Sequence, residues 1–217
     1  MKSFISIAID GGAGSGKSTT AHNISSKFNF LNVDTGSHYR SITAYLMKHN
    51  ISEIVASKPE NLNKITLSSK IINNKSQIQI NGSSFSHSEL RSKEINLNVS
   101  RYSSIAAIRS TLFDYQKSQC ELARQNNFTG IVMEGRDIGT IILPDADLKL
   151  FLFANEHVRN QRRKDDGESD LIQKRDLLDS TRTIAPLSET KDSIKIDTSK
   201  LSPSEVVTQI SQLIESL

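Results

Sequence analysis

One cysteine in 217 residues excludes an internal disulfide. That residue, Cys120, lies in a stretch whose apolar positions (Ile105, Ile108, Leu112, Tyr115, Leu122) carry helical spacing, so a buried, inert thiol is expected. No apolar run approaches the roughly 18 residues that a membrane span needs. Met1 to Asp10 also lacks the charged start, apolar middle and small-residue cleavage site of a signal peptide, and a reducing cytoplasm is the expected setting. Charge of one sign is missing as well. With 27 basic and 24 acidic residues the formal net charge is +3, which gives no reason to expect nucleic acid or an anionic membrane as partner. Anionic small molecules remain open. No internal repeat period is present, and the five histidines, His22, His38, His49, His87 and His157, follow no catalytic or metal-ligand spacing and are expected at exposed helix or loop positions.

The length suits one α/β core with one or two small excursions. Phe4 to Ile9 reads as a buried parallel strand running into Asp10-Gly11-Gly12, with a helix from Lys17 to about Lys27. A second strand, Phe30 to Val33, stops at Asp34, and a helix opens at Gly36 and continues to about Lys48. Further strands are expected at Ile131 to Met133, Leu148 to Phe153 and Ile194 to Ile196, with a helix over Glu156 to Arg163. This alternation predicts a doubly wound, five-stranded parallel sheet with helices on both faces. Ser202, Pro203 and Glu205 mark the start of a last helix by a capping box with proline at its first position. Between these halves, Lys70 to Ile72 and Gln77 to Ile80 are β-like pieces broken by Asn73-Asn74 and Asn81-Gly82, which predicts a small β insert over residues 62 to 95. One long helix, about Ser100 to Asn126, returns the chain to the core. The polar run Lys164 to Asp170 is expected to be a mobile tip.

Gly11-Gly12-Ala13-Gly14-Ser15-Gly16-Lys17-Ser18 is a glycine, four residues, then Gly-Lys-Ser, placed after a strand and before a helix. Its glycines let successive N–H groups converge on phosphate oxygens, and the helix adds its positive end. The Lys17 ammonium can reach outer phosphates and the Ser18 hydroxyl can ligate magnesium. By glycine usage alone the pattern arises in roughly one chain per hundred of this length. A bound nucleoside triphosphate follows; the reaction does not. Arg40, Arg109, Arg136, Arg159, Arg162, Arg163, Arg175 and Arg182 narrow it, because transfer between two anions needs charge neutralisation that arginine provides in bidentate form. Arg136 in particular follows the strand Gly130 to Met133, at the carboxyl edge where ligands bind in such sheets.

Beyond the P-loop, the chain carries Asp34-Thr35-Gly36-Ser37-His38-Tyr39-Arg40, Glu134-Gly135-Arg136-Asp137-Ile138-Gly139-Thr140, Pro144-Asp145-Ala146, Arg175-Asp176 with Asp179 and Arg182, Ala185-Pro186-Leu187 and Ile196-Asp197-Thr198-Ser199. In these blocks and their order it resembles, nearly end to end, the bacterial cytidylate kinases of the nucleoside monophosphate kinase group. The resemblance implies one P-loop kinase unit that transfers the γ-phosphoryl group of ATP to CMP, and to dCMP, with magnesium, as a cytoplasmic monomer. It divides residues 1–217 into a core (1–61, 96–158, 176–217), a monophosphate-binding insert (62–95) and a lid (159–175). ATP would rest on Gly11, Gly12, Ala13, Gly14, Ser15, Gly16, Lys17, Ser18 and Thr19, with Arg159 and Arg162 at the lid and Ser18 on the metal. Arg40, Arg136 and Arg182 would hold the acceptor phosphate, with Lys17 and Arg159 also in catalysis. Thr35 and Tyr39 would line the acceptor pocket, Ser100, Arg109 and Asp137 would read cytosine, and Arg175 and Asp179 would hold the ribose.

Several of these residues also have plain structural explanations: Thr35 as a helix cap, Tyr39 as a core aromatic, Asp137 as the cap of a turn, Asp179 as a surface charge. Asp10 and Asp34 fit either the magnesium surroundings or simple turn capping. Two features depart from the family pattern: the stretch from Arg163 to Arg175 is short for a lid, and Glu134 stands where Asp is commoner. Rival readings are a P-loop kinase acting on UMP, AMP or shikimate, and a nucleotide-switched regulator, which would not need arginines on an acceptor side.

Overall fold

The computed structural model describes residues 4–167 and 172–217, apart from the side chains of Lys174 and Arg175. Strand β1 (Ile5–Asp10) leads through the glycine loop into α1 (Lys17–Phe28), then β2 (Phe30–Asp34) and α2 (Thr35–Lys48). Short helix α3 (Glu53–Ala56) and a single 3-10 turn precede the hairpin β3 (Leu67–Ile72) and β4 (Lys75–Ile80). Helices α4 (His87–Leu90), α5 (Lys93–Ser103) and α6 (Ala106–Gln125) follow, then β5 (Gly130–Gly135), β6 (Leu148–Phe153), α7 (Glu156–Asp165), α8 (Ile172–Thr181), β7 (Ile194–Asp197) and α9 (Pro203–Glu215).

The sheet order is β3-β4-β2-β5-β1-β6-β7. The five strands from β2 to β7 are parallel, as the alternation of strands and helices requires. Two more join them at one edge. β4 runs parallel to β2 through Asn32↔Lys75 and Val33↔Ser76, and β3 pairs antiparallel with β4. The hairpin therefore extends the core sheet to seven strands. The second half of the expected β insert is helical: Ser86 and Glu89 form a capping box at the start of α4, and Ser92 caps α5 by accepting from the Ile95 N–H. The long helix expected from Ser100 is two, broken between Ser103 and Ala106. Residues 168–170 of the mobile tip expected over Lys164 to Asp170 lie outside the described part.

Alternation along the strands supplies both faces. Ile5, Ile7 and Ile9 of β1 meet Leu148, Leu150 and Leu152 of β6, with Ile24 of α1 and Val206, Ile210 and Ile214 of α9. Ala8, Leu31, Val33, Ile131 and Met133 face the other way with Ala123 of α6. A third cluster ties α2 to the hairpin and to α5 and α6 through Ile42, Leu46, Ile78, Ile80, Val99 and Leu112. A polar suture joins hairpin to α6 as well, with Ser76 Oγ donating to Gln119 Oε1 at 2.6 Å. Cys120 is half-buried, and burial pushes its thiol up.

Four histidines are exposed as expected and one is not. His22, His49, His87 and His157 are exposed, but His38 is 0% exposed, edge-on to the Tyr115 ring at 5.1 Å, and neither ring nitrogen has a hydrogen-bond partner. It lies on the face of α2 that turns toward the hairpin and α6, and an apolar environment penalises its charged form. Burial, resisted in part by Asp34, lowers its pKa to about 4.

The unfolded chain protonates His38 below about pH 6.5 while the folded chain keeps it neutral down to about pH 4. Stability from this residue is therefore present above pH 6.5 and lost as pH falls to 4. Denaturant unfolding of the wild type and His38→Leu from pH 7.5 to 4 should show the difference moving in the variant's favour by up to about 3 kcal/mol.

Candidate active site

At the carboxyl edge of the sheet the loop after β1 closes tightly. A Cβ at Gly11 would collide with the Leu152 carbonyl of β6, so the loop passes where only glycine fits. Gly16, at φ 90°, forms the left-handed entry to α1. Lys17 is buried and folds back over the loop, donating to the Gly12 carbonyl at 2.7 Å. Thr198, from the segment after β7, braces the loop by donating to the Ser15 carbonyl at 3.1 Å.

Three neighbouring strands bring acids to this edge. In register, Glu134 of β5 stands beside both Asp34 of β2 and Ile9 of β1. Ser18 Oγ donates to Glu134 Oε2 at 2.9 Å. Burial, reinforced by the nearby Asp34 charge, raises Glu134 to about 7. Asp34 caps α2 by accepting from the Ser37 N–H at 3.0 Å; burial alone would raise it, but Lys75, Arg91 and that N–H bring it below the usual range. Asp10 is a turn cap: it accepts from the Ile138 and Gly139 N–H groups at 2.9 and 2.8 Å, and burial raises it to about 6. Thr35 caps nothing; its Oγ1 donates to the Glu134 carbonyl at 2.7 Å and lashes the start of α2 to the end of β5.

A cavity of about 110 Å³ opens beside these acids. Thr35, Tyr39, Arg40, Ser100, Arg136, Asp137, Asp179 and Arg182 all line it, drawn from α2, α5 and α8 and from the segments that follow β5 and α8. Arg40 donates to the Leu90 carbonyl and to Asn96 Oδ1, both at 2.7 Å, which ties α2 to α4 and α5. Asp137 is buried and forms no turn-capping bond. Its Oδ2 pairs with Arg109 and its Oδ1 lies 3.6 Å from Arg182. Arg109 reaches the cavity through Asp137, is braced by the Ser103 carbonyl at 3.1 Å, and stands 5.2 Å from the Tyr39 ring centroid. Burial next to Asp137 pushes the Tyr39 hydroxyl up to about 12, so it stays neutral. Asp179 is a buried partner of Arg136, at 3.0 Å from Nε, not a surface charge. Burial lowers Arg182, partly restored by Asp137.

A larger cavity of about 520 Å³ lies on the far side of the glycine loop, lined by Gly14 to Thr20 and by Arg162, Thr198 and Val206 among others. Arg162 donates to the Thr198 carbonyl at 2.7 Å. Arg159 lines neither cavity; it donates to the Ala13 carbonyl at 3.1 Å and pairs with Asp176. The side chain of Arg175 lies outside the described part. The two cavities share Gly14, Lys17, Ser18, Arg91 and Arg163. Arg163 is one of the arginines that the sequence offers for charge neutralisation, with no place in the site given by the resemblance; Arg91 is not singled out by the sequence at all. Arg91 follows the Ser86-to-Glu89 capping box by two residues, and that box was the available sign that a helix end presents an arginine there.

A family model described as cytidylate kinase matches residues 7–216. The chain belongs to the cytidylate kinase family. A cytidylate kinase of Clostridium tetani is 39% identical, over 97% of this chain and 93% of that protein. One from Fusobacterium nucleatum is 37% identical, over 98% of each. Among solved structures, the thymidylate kinase of Candida albicans aligns with a TM-score of 0.50 at 18% identity, over 98% of this chain and 92% of that one, a likeness of fold alone. Family membership makes this chain an ATP-dependent phosphotransferase that converts CMP to CDP.

For a cytidylate kinase of this geometry, the junction of β5 with α2 is a point without slack. A Cβ at Gly135 would collide with Thr35 Oγ1 and lie 2.7 Å from Ile138 Cδ1. Gly135→Ala should cost about 1–3 kcal/mol in denaturant unfolding and lower kcat/KM for CMP, because relief moves Thr35 or Arg136.

Proposed function

We propose that ATP occupies the larger cavity with its phosphates on Gly11 to Thr19, that CMP or dCMP occupies the smaller one, and that the γ-phosphoryl group passes directly between them. The observation that carries this reading is the meeting of the two cavities at the glycine loop, where Lys17, Arg91 and Arg163 border both. Two anions brought together there need cations on the path between them, and those three side chains lie on it. The acceptor oxygen is already ionised at neutral pH, so positioning and charge neutralisation suffice without a general base.

Arg40, Arg136 and Arg182 are suited to the acceptor phosphate, each held by a backbone or carboxylate partner that fixes its fork. Asp137, fixed by Arg109, offers acceptor capacity to the cytosine amino group, and Ser100 faces the same cavity. Uracil carries a carbonyl oxygen at that position, which a fixed carboxylate repels. Asp179, beside Arg136, and Arg175 are assigned to the ribose; a site whose ribose contacts are few admits deoxyribose too. Arg159 and Arg162 are assigned to the ATP side, and residues 159–175 to a lid that excludes water.

Magnesium fits this site. Asp34 and Glu134 are like charges buried side by side, and the cost of that burial raises Glu134. Ser18, with Glu134 behind it, would hold the ion. Magnesium would supply charge neutralisation on the outer phosphates. The assignment to the cytoplasm rests on the lone cysteine and on the described helices, none of which is long and apolar enough to cross a membrane. Among the described residues, exposed large apolar side chains are spread over α3, α5, α8, strands β3, β6 and β7 and two connecting segments, which supports a monomer.

ADP release with ATP and magnesium should depend on CMP or dCMP, exceed that with UMP, AMP or shikimate, and fall at least about a hundredfold in Lys17→Ala. Asp137→Asn should lose about ten- to a hundredfold in kcat/KM for CMP and narrow the CMP-over-UMP preference. Equal use of UMP by the wild type would contradict the assignment of Asp137.

A further inference from the structure

The glycine loop is gripped by two side chains of its own protein. Asp176 of α8 accepts from the Ala13 N–H at 3.1 Å through Oδ1, while its Oδ2 pairs with Arg159 of α7. Arg159 in turn donates to the Ala13 carbonyl at 3.1 Å. The clasp is close: a Cβ on Gly12 would come to 2.8 Å from Arg159 Nη1 and 3.1 Å from Asp176 Oδ2, and one on Gly14 to 2.8 Å from the Arg159 carbonyl. Both side chains are mostly buried, and Arg159 Nε is buried with no partner, a donor left for a further acceptor.

Backbone N–H groups of such a loop are its anion-binding donors. One of them is already used by a carboxylate, and the arginine beside it is already paired with the same carboxylate. We propose that Asp176 is a positioning residue that stands in for a nucleotide phosphate: it holds Arg159 over the loop and competes with ATP for the Ala13 N–H, yielding both when the triphosphate enters. The inference rests on the reading of the loop as the ATP site and adds to it a competing anion from within the chain. Ala13 borders the smaller cavity and not the larger, so the competing group is the outermost phosphate where it reaches across the loop; there it and the Asp176 carboxylate repel each other over one N–H, and Asp176 gives way. Arg159 is thereby handed from one anion to another without leaving the loop.

Removing the charge but not the shape separates this role from a structural one. ATP binding, measured by calorimetry on the full chain without magnesium or acceptor, should be roughly three- to tenfold tighter in Asp176→Asn than in the wild type. Asp176→Ser, which keeps an oxygen acceptor on a shorter arm and loses the charge, should change in the same direction. Without nucleotide both variants should melt below the wild type, and with saturating ATP their melting temperatures should rise by more. In steady state the KM for ATP should fall while the KM for CMP stays within about twofold. A merely structural aspartate predicts the opposite, weaker ATP binding and a smaller rise in melting temperature. Unchanged or weaker ATP binding in both variants, with the wild type binding normally, would overturn the inference and leave the ATP site standing. A wild type that does not bind ATP would overturn both.

Discussion

Asp34 and Glu134 end adjacent strands, side by side and shut away from water, and the carboxyl edge of the sheet is organised around keeping them there. Parallel pairing fixes their spacing, because one residue of slippage would turn either side chain to the opposite face. Like charges so placed need cations and hydrogen-bond donors, and the chain supplies Lys17 from the glycine loop, Lys75 from β4 at 3.8 Å from Asp34, and the Ser18 hydroxyl as a donor to Glu134. The hairpin, held to α2 and α6 by its apolar face and by Ser76, brings one of those cations to the edge. β4 pairs with β2 for only two residues, and one of those two is Lys75.

The same edge is then tiled with paired arginines. Arg109 with Asp137, Arg136 with Asp179 and Arg159 with Asp176 each set a planar cation against a carboxylate, and the partners come from different elements. Burying a charge with its partner restrains it without cancelling it, since a guanidinium keeps further donors for a ligand. Rigid donors aimed at one region are what two polyanionic substrates require, because the protein then does not reorganise as charge moves from one phosphate to the other. Shared residues between the two cavities are the geometric outcome. The Arg159–Asp176 pair differs from the other two in that its acid also holds a loop amide.

Much of this was legible in the chain. Short, mostly apolar runs that stop at Asp10, Asp34 and Glu134 gave the parallel strands, and Ser202-Pro203 with Glu205 gave α9, because those signals are local. The glycine loop was readable for the same reason. Pairing is not local, and there the reading fell short. Nothing near Lys75 says that β4 will lie against β2, and Ser104 interrupts a periodic apolar pattern that otherwise reads as one helix. His38 has the composition of an exposed polar position on α2 and becomes a core residue once the hairpin and α6 cover that face. Among site residues, the resemblance supplied most of those that line the smaller cavity. It left out Arg91 and Arg163, which matter through their position between two cavities, a property of the assembled fold.

Two neighbouring anion sites joined at the glycine loop are the centre of this account, and a single compound probes both. A bisubstrate molecule, adenosine and cytidine joined through their 5′ positions by a chain of phosphates, should inhibit competitively against ATP and against CMP and should bind at least about a hundredfold tighter than either nucleotide alone, since one ordering cost serves two sites. Competition against only one substrate, with affinity no better than that substrate's own, would mean that the two cavities do not form one continuous site.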